Sequence, residues 1–154
     1  RTCACRPPPS GKGAERGIDI ICLYANIPLM EYIEIYRCLC ERTRLRILNL
    51  LRGGPLCVCH LHEILGEAQP NVSKQLAYLR DRGVVESERR NTWIIYRLPN
   101  RRHPILEQNL KCLQDVARED EIFRKDLARR TTVVRRIART KEGCPDAVVV
   151  RGCC

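Results

Sequence analysis

Aromatic side chains are scarce in this chain. They make up 5% of its 154 residues, with a single Trp and a single Phe. Any core must therefore be mostly Leu, Ile and Val. No apolar run is long enough to span a membrane. The first thirty residues lack the basic start and apolar stretch of a secretory leader, so a cytoplasmic location and no membrane partner are expected. Acidic residues are also in short supply, with 18 Asp and Glu against 28 Lys and Arg, a formal net charge of +10. A surface that basic favours a polyanionic partner, nucleic acid first. There is no C-x-x-C redox pair, no Gly-rich phosphate loop and no Ser/His/Asp set. No catalytic residue is assigned, and no enzyme is expected.

Cysteine, by contrast, is abundant. Eleven in this length is high, and the number is odd. They cluster as C-x-C and C-C pairs, such as Cys57-Val58-Cys59 and Cys153-Cys154, rather than spreading as a disulfide framework. That pattern suits thiolate ligation of soft ions in a reducing compartment.

The only methionine, Met30, stands directly before the first helical patterning. It is the expected natural start, which leaves residues 1–29, with Pro7-Pro8-Pro9-Ser10-Gly11, as a flexible and non-native upstream segment. Beyond it, helices are predicted over 31–41 and 43–52, the second stopped by Gly53-Gly54-Pro55. A third is predicted over 57–65 and stopped by Gly66. A fourth covers 70–82, with Pro70 in its first turn and Gly83 past its end. The period then changes to alternation, giving strands at 84–88 and 93–98 around a polar turn at Arg89-Arg90-Asn91. A fifth helix starts near Pro104, with Ile105, Leu106, Leu110, Leu113 and Val116 apolar. Residues 119–140 continue as a charged helix that either lengthens the fifth or packs beside it, with Phe123, Leu127, Val134 and Ile137 as its stripe. The expected fold is mainly α with a β-hairpin wing, a winged helix-turn-helix. Residues 30–118 form the DNA-binding and dimerisation domain, and 119–154 a helical extension with a Cys-containing tail.

In this layout helix 70–82 enters the major groove of double-stranded DNA. Asn71 and Gln75 are the candidates for base edges; Ser73, Lys74 and Tyr78 are candidates for phosphates. Arg89, Arg90 and Asn91, at the hairpin tip, are candidates for the adjacent minor groove or backbone. Cys57 and Cys59, at the start of the supporting helix, are the candidate metal ligands. Side chains at i and i+2 of a regular helix point about 200° apart, so both reach one ion only where the helix start is extended or distorted.

Several blocks in order resemble the ArsR/SmtB family of winged-helix repressors. They are Leu39-Cys40-Glu41-Arg42-Thr43-Arg44-Leu45-Arg46-Ile47-Leu48, the segment from Leu56 to Leu65, Gln69 to Arg80, Gly83-Val84-Val85, and Trp93 to Leu98. The resemblance implies a homodimer paired through its first and last helices on an inverted-repeat operator, repressing an arsenic-resistance operon. Unfilled apolar stripes on 31–41 and 104–116 agree with such pairing. The family's arsenic-responsive branch carries Cys-Val-Cys-Asp-Leu-Cys where this chain has Cys57-Val58-Cys59-His60-Leu61-His62. The resemblance thus puts His62 at the third ligand position and His60 where Asp is usual. The resemblance implies As(III) or Sb(III) as the inducer; imidazole suits Zn(II) or Cd(II) better than As(III), which keeps Cd(II), Zn(II) or Pb(II) as the alternative. A further thiol is available from Cys144, Cys153 or Cys154 in the tail, or from Cys3 or Cys5. Cys38, Cys40 and Cys112 are expected in the core or dimer interface. Other readings of the thiols are a redox-sensing repressor and, outside regulation, a thiol-rich metal buffer. His103, Glu107 and Asp115 do not reproduce the family's other metal site, on its last helix.

Overall fold

Short caps and glycines divide the chain into helices. The computed structural model describes residues 29–140, with six helices and three strands among them: α1 Leu29–Leu39, α2 Arg42–Arg52, β1 Leu56–Cys57, α3 Val58–Leu65, α4 Gln69–Asp81, β2 Glu86–Arg90, β3 Trp93–Arg97, α5 Pro104–Glu119 and α6 Glu121–Thr140. Glu41 starts α2 by accepting from the backbone N–H groups of Thr43 and Arg44 at 3.0 and 2.8 Å, which satisfies two donors that no helical carbonyl reaches. Gly66 ends α3 in the left-handed region, φ +67°, with its N–H on the His62 carbonyl. A side chain there would be strained, and the sharp reversal it permits delivers the chain to α4 within three residues.

The expected winged helix-turn-helix is present. Val72, Leu76 and Leu79 on one face of α4 are fully buried against Leu61 and Ile64 of α3 and Ile47 and Leu48 of α2, within one apolar core. Replacing Leu76 by Ala is expected to cost about 2–5 kcal/mol through lost contacts and the cavity left behind. Urea unfolding with an unchanged m value would register it.

The sheet differs in three details. Its order is β1-β3-β2, all antiparallel. The two-residue β1, with Leu56 opposite Tyr96 and Cys57 opposite Ile95, is too short to show as alternation in the sequence. The second strand runs Glu86–Arg90 rather than 84–88. Val84 and Val85 are both buried, and two consecutive inward side chains do not fit a strand with one solvated face. The turn is consequently Asn91-Thr92, with Asn91 at φ +54°, and Arg89 and Arg90 are the last residues of β2 instead of turn residues.

Helix α6 packs beside α5. Asp120 interrupts the two with an extended backbone, and its Oδ1 accepts from the N–H groups of Ile122 and Phe123. The inward face carries Phe123, Asp126, Val133 and Ile137. Leu127, expected inside, is 38% exposed, and Val134 is only partly buried. A buried ion pair lies on the inward face: Arg46 donates Nε and Nη2 to the two carboxylate oxygens of Asp126 at 2.7 and 2.8 Å. The same guanidinium reaches Glu67 at 2.9 Å and the Leu65 carbonyl at 2.8 Å. Hydrogen bonding to Asp126 raises the Arg46 pKa further above its ordinary value. Arg46 thus ties α2, α6 and the helix-turn-helix turn together. The expected flexible segment up to residue 28 and the tail from 141 lie outside the described residues.

Candidate functional site

Cys57 occupies two elements at once. It closes β1, and with φ −82° and ψ 163° it is the extended N-cap of α3. An N-cap side chain folds back over the second and third helical residues, and those are Cys59 and His60. The opposed i, i+2 arrangement of a regular helix is therefore lifted, as the sequence required. Cys57 Sγ lies 2.6 Å from Cys59 Sγ and 3.0 Å from Nδ1 of His60. One ligand atom from each of the three falls within 4.8 Å of the others. Cys57 and His60 are buried and Cys59 half-buried.

His62, expected at the third position, is not in this group. It lies two residues further along α3, beyond the reach of an N-cap side chain. The nearby histidine is His60, and its signal in the sequence was its spacing of three from Cys57, one turn. Burial pushes the His60 pKa below its ordinary value, with Arg136 and His62 adding to the effect and Glu63 opposing it. That shift favours the neutral imidazole, the form that keeps a lone pair for coordination. Its ring stacks on Trp93 with centroids 6.4 Å apart and planes 17° from parallel. Two sulfurs and one imidazole nitrogen, from two buried residues and one half-buried one, form a donor set that fits a soft or borderline cation. Cys3, Cys5, Cys144, Cys153 and Cys154 lie outside the described residues. Of the cysteines expected in the core or at an interface, Cys38 is buried, whereas Cys40 and Cys112 are exposed.

The outward face of α4 carries the expected polar set. Asn71 and Lys74 are exposed; Ser73, Gln75 and Tyr78 are half-buried. Asn71 Nδ2 donates to Glu67 at 2.7 Å. Gln75 Oε1 accepts from Arg44 Nη1 at 2.9 Å, which fixes the amide and turns its NH2 away from Arg44. The Tyr78 ring lies between two guanidinium groups, Arg82 at 3.5 Å and Arg44 at 4.4 Å from its centroid. Arg44 also donates to the Cys38 and Arg37 carbonyls at 2.9 and 2.8 Å. It therefore joins the end of α1 to α4, a positioning role that spacing alone does not reveal. On the wing, Arg89 Nε donates to the Asn91 carbonyl at 3.3 Å, and Arg90 pairs with Glu88 at 2.9 Å. Among the described residues no helix is long and apolar enough to cross a membrane.

The comparisons with known proteins fall on this same region. The family model described as "Bacterial regulatory protein, arsR family" matches residues 41–87, from the α2 N-cap to the start of β2. The chain is similar to the arsenic resistance transcriptional regulator ArsR1 of Pseudomonas putida, 40% identical over 75 residues, covering 48% of this chain and 56% of that protein. It is similar to the arsenical resistance operon repressor of Escherichia coli, 35% identical over 88 residues, covering 54% of this chain and 75% of that one. Among solved structures it resembles the homodimeric winged helix-turn-helix DNA-binding domain Mb0332 of Mycobacterium bovis. The TM-score is 0.50 at 27% identity, covering 59% of this chain and 82% of that domain. With its helix-turn-helix under that family model and a relative matched over three quarters of its length, the chain belongs to the arsR family of bacterial regulatory proteins.

Proposed function

We propose that this protein is a transcriptional repressor that binds an operator as a homodimer and leaves it when Cys57 and Cys59 take up a thiophilic ligand. As(III) or Sb(III) is the leading ligand, in keeping with relatives named for arsenic resistance. The observation that carries the reading is the convergence of Cys57 Sγ, Cys59 Sγ and His60 Nδ1 at the start of the helix supporting α4. Asn71 and Gln75 read base edges. Ser73, Lys74 and Tyr78 hold phosphates, and Arg89, Arg90 and Asn91 place the wing on the adjacent groove or backbone. Tyr36 on α1 and Val116 on α5 are 49% and 55% exposed, apolar surface that a second copy covers in the dimer.

A soft ion supplies bonds to thiolate that are stronger than any contact the two sulfurs make with protein. Drawing Cys57 and Cys59 to one point changes the first turn of α3. Leu61 and Ile64 of that helix share the core with Val72 and Leu76, so the change reaches α4. By linkage, operator DNA weakens ligand affinity by the same factor. His60 favours a second reading. Its imidazole beside two thiols is the donor set of a Zn(II) or Cd(II) site, with Pb(II) a further candidate.

Fluorescence anisotropy with a labelled duplex from upstream of the gene, under reducing conditions, tests this. As(III), Cd(II) and Zn(II) are titrated against wild type, His60→Ala and His62→Ala. Release by As(III) that survives both substitutions identifies an arsenic sensor with a third ligand outside α3. Release by Cd(II) or Zn(II) that His60→Ala abolishes and His62→Ala spares identifies the site formed by Cys57, Cys59 and His60. Release by peroxide alone would point to thiol oxidation. The absence of sequence-specific binding would overturn the repressor reading and favour a metal buffer.

A further inference from the structure

The thiols pack against a strand of the wing. Cys57 and Cys59 stand apart from the main core, in a small cluster with Ile95 and Trp93 of β3. Cys57 pairs with Ile95 across the sheet, and His60 stacks on Trp93. Trp93 is the first residue of β3, opposite Arg90 and directly after the Asn91-Thr92 turn. The three potential ligands therefore rest on the strand that carries the hairpin tip. The connection from α3 to α4 runs through Leu61 and Ile64, which belong to the other cluster.

We propose that Trp93 is a positioning residue through which the Cys57–Cys59–His60 group and the wing set each other's geometry, so that ligand at the thiols is signalled to DNA by the β2–β3 hairpin. The inference rests on the thiol site described above. An imidazole turns freely about its side-chain bonds unless something holds its plane, and the near-parallel indole holds it with Nδ1 towards Cys57. When Nδ1 and the two sulfurs close on a common point, the imidazole plane must tilt. The indole either follows or loses the stack. Because Trp93 adjoins a two-residue turn, a small rotation there swings Arg89 and Arg90. Phosphate contacts at a hairpin tip are sensitive to such movement, since they depend on register along the duplex. The coupling is reciprocal: a wing seated on DNA holds the indole, and with it His60, in the ligand-free arrangement.

Trp93 is the sole tryptophan of the chain, so its emission reports the surroundings of this one ring. The test uses the full-length protein with Cd(II) as the probe. Wild type is compared with Trp93→Leu, which keeps apolar bulk without a ring, with Trp93→Phe, which restores a ring, and with Cys57→Ser/Cys59→Ser. Cd(II) affinity is measured by competition with a chromophoric chelator. Coupling is the ratio of operator affinities without and with Cd(II). The expected result is that Trp93→Leu still binds Cd(II) and operator, each measured separately, while the coupling ratio falls about tenfold, within the usual range of such couplings. Trp93→Phe should recover most of it. Wild-type emission should change on Cd(II) addition without DNA, and His60→Ala should remove that change. Wild-type coupling in Trp93→Leu, or silent emission while the chelator reports binding, would overturn the proposal and assign the route to α4. Undiminished Cd(II) affinity in Cys57→Ser/Cys59→Ser would instead remove the thiol site, and this inference with it.

Discussion

Replacing Cys57 and Cys59 together by Ser is expected to leave operator binding in place and abolish ligand-driven release. Loss of an outer partner of a ligand already lowers affinity by about 10–100-fold, and loss of two ligands should exceed roughly 100-fold on the same scale. Serine is close in size and keeps a hydroxyl that can hydrogen bond to His60 Nδ1, the group now 3.0 Å from Cys57 Sγ. The fold should survive, because neither sulfur belongs to the main core. Isothermal titration with Cd(II) and with arsenite, beside a thermal melt, separates loss of ligand from loss of structure. A double variant that still binds either ligand with wild-type affinity would place the sensory site elsewhere in the chain.

The second large effect concerns the link between α2 and α6. Asp126 is 1% exposed and receives two hydrogen bonds from Arg46. Asp126→Ala strands a guanidinium whose side chain is only 11% exposed. Removing one partner of a buried pair costs about 3–5 kcal/mol. Glu67 and the Leu65 carbonyl still accept from Arg46, so the lower end, about 3 kcal/mol, is expected. The consequence extends beyond stability. The same arginine holds the turn that leads into α4, so operator affinity should fall along with the melting temperature. Arg46→Met with Asp126→Leu, which removes both charges, should recover most of the stability but not the anchoring of Glu67. Chemical denaturation of the three proteins gives the comparison. A cost in Asp126→Ala below about 1 kcal/mol would mean that the pair behaves like a solvated surface bridge.

Much of this architecture is written in local spacing. The glycines at 53, 54, 66 and 83, the prolines at 70 and 104, and the change from helical to alternating apolar residues mark the middle helices and the hairpin strands to within a few residues, whereas spacing leaves open the break at Asp120 between α5 and α6. The C-x-C pair also implied its own distortion, since two side chains about 200° apart on a helix cannot meet unless one leaves it. Cys57 does so as an extended N-cap.

What escaped were the choices between near-equivalent neighbours. His60 and His62 are alike by composition, and both lie within a few residues of the thiols. The fold-back of an N-cap side chain brings His60, not His62, within 4.8 Å of both sulfurs, and Trp93 comes from a distant strand to stack on it. Val133 and Val134 are adjacent and identical. Long-range contacts, among them the Arg46–Asp126 pair between residues eighty apart in the chain and the Arg136–Glu63 pair, set the rotation that buries the first and leaves the second at the edge. A charged residue reads as surface because burying an unpaired charge is costly; Asp126 is inside because its partner comes from another helix. Val84 and Val85 read as strand because β-branched residues favour it, but the core takes both and displaces the strand by two residues. Helix starts, helix ends and the thiol pair follow from interactions within a few residues, which neighbouring side chains settle among themselves. The third member of the thiol group, the roll of α6 and the strand that joins the thiols to the wing depend on partners brought together only when the chain closes on its core.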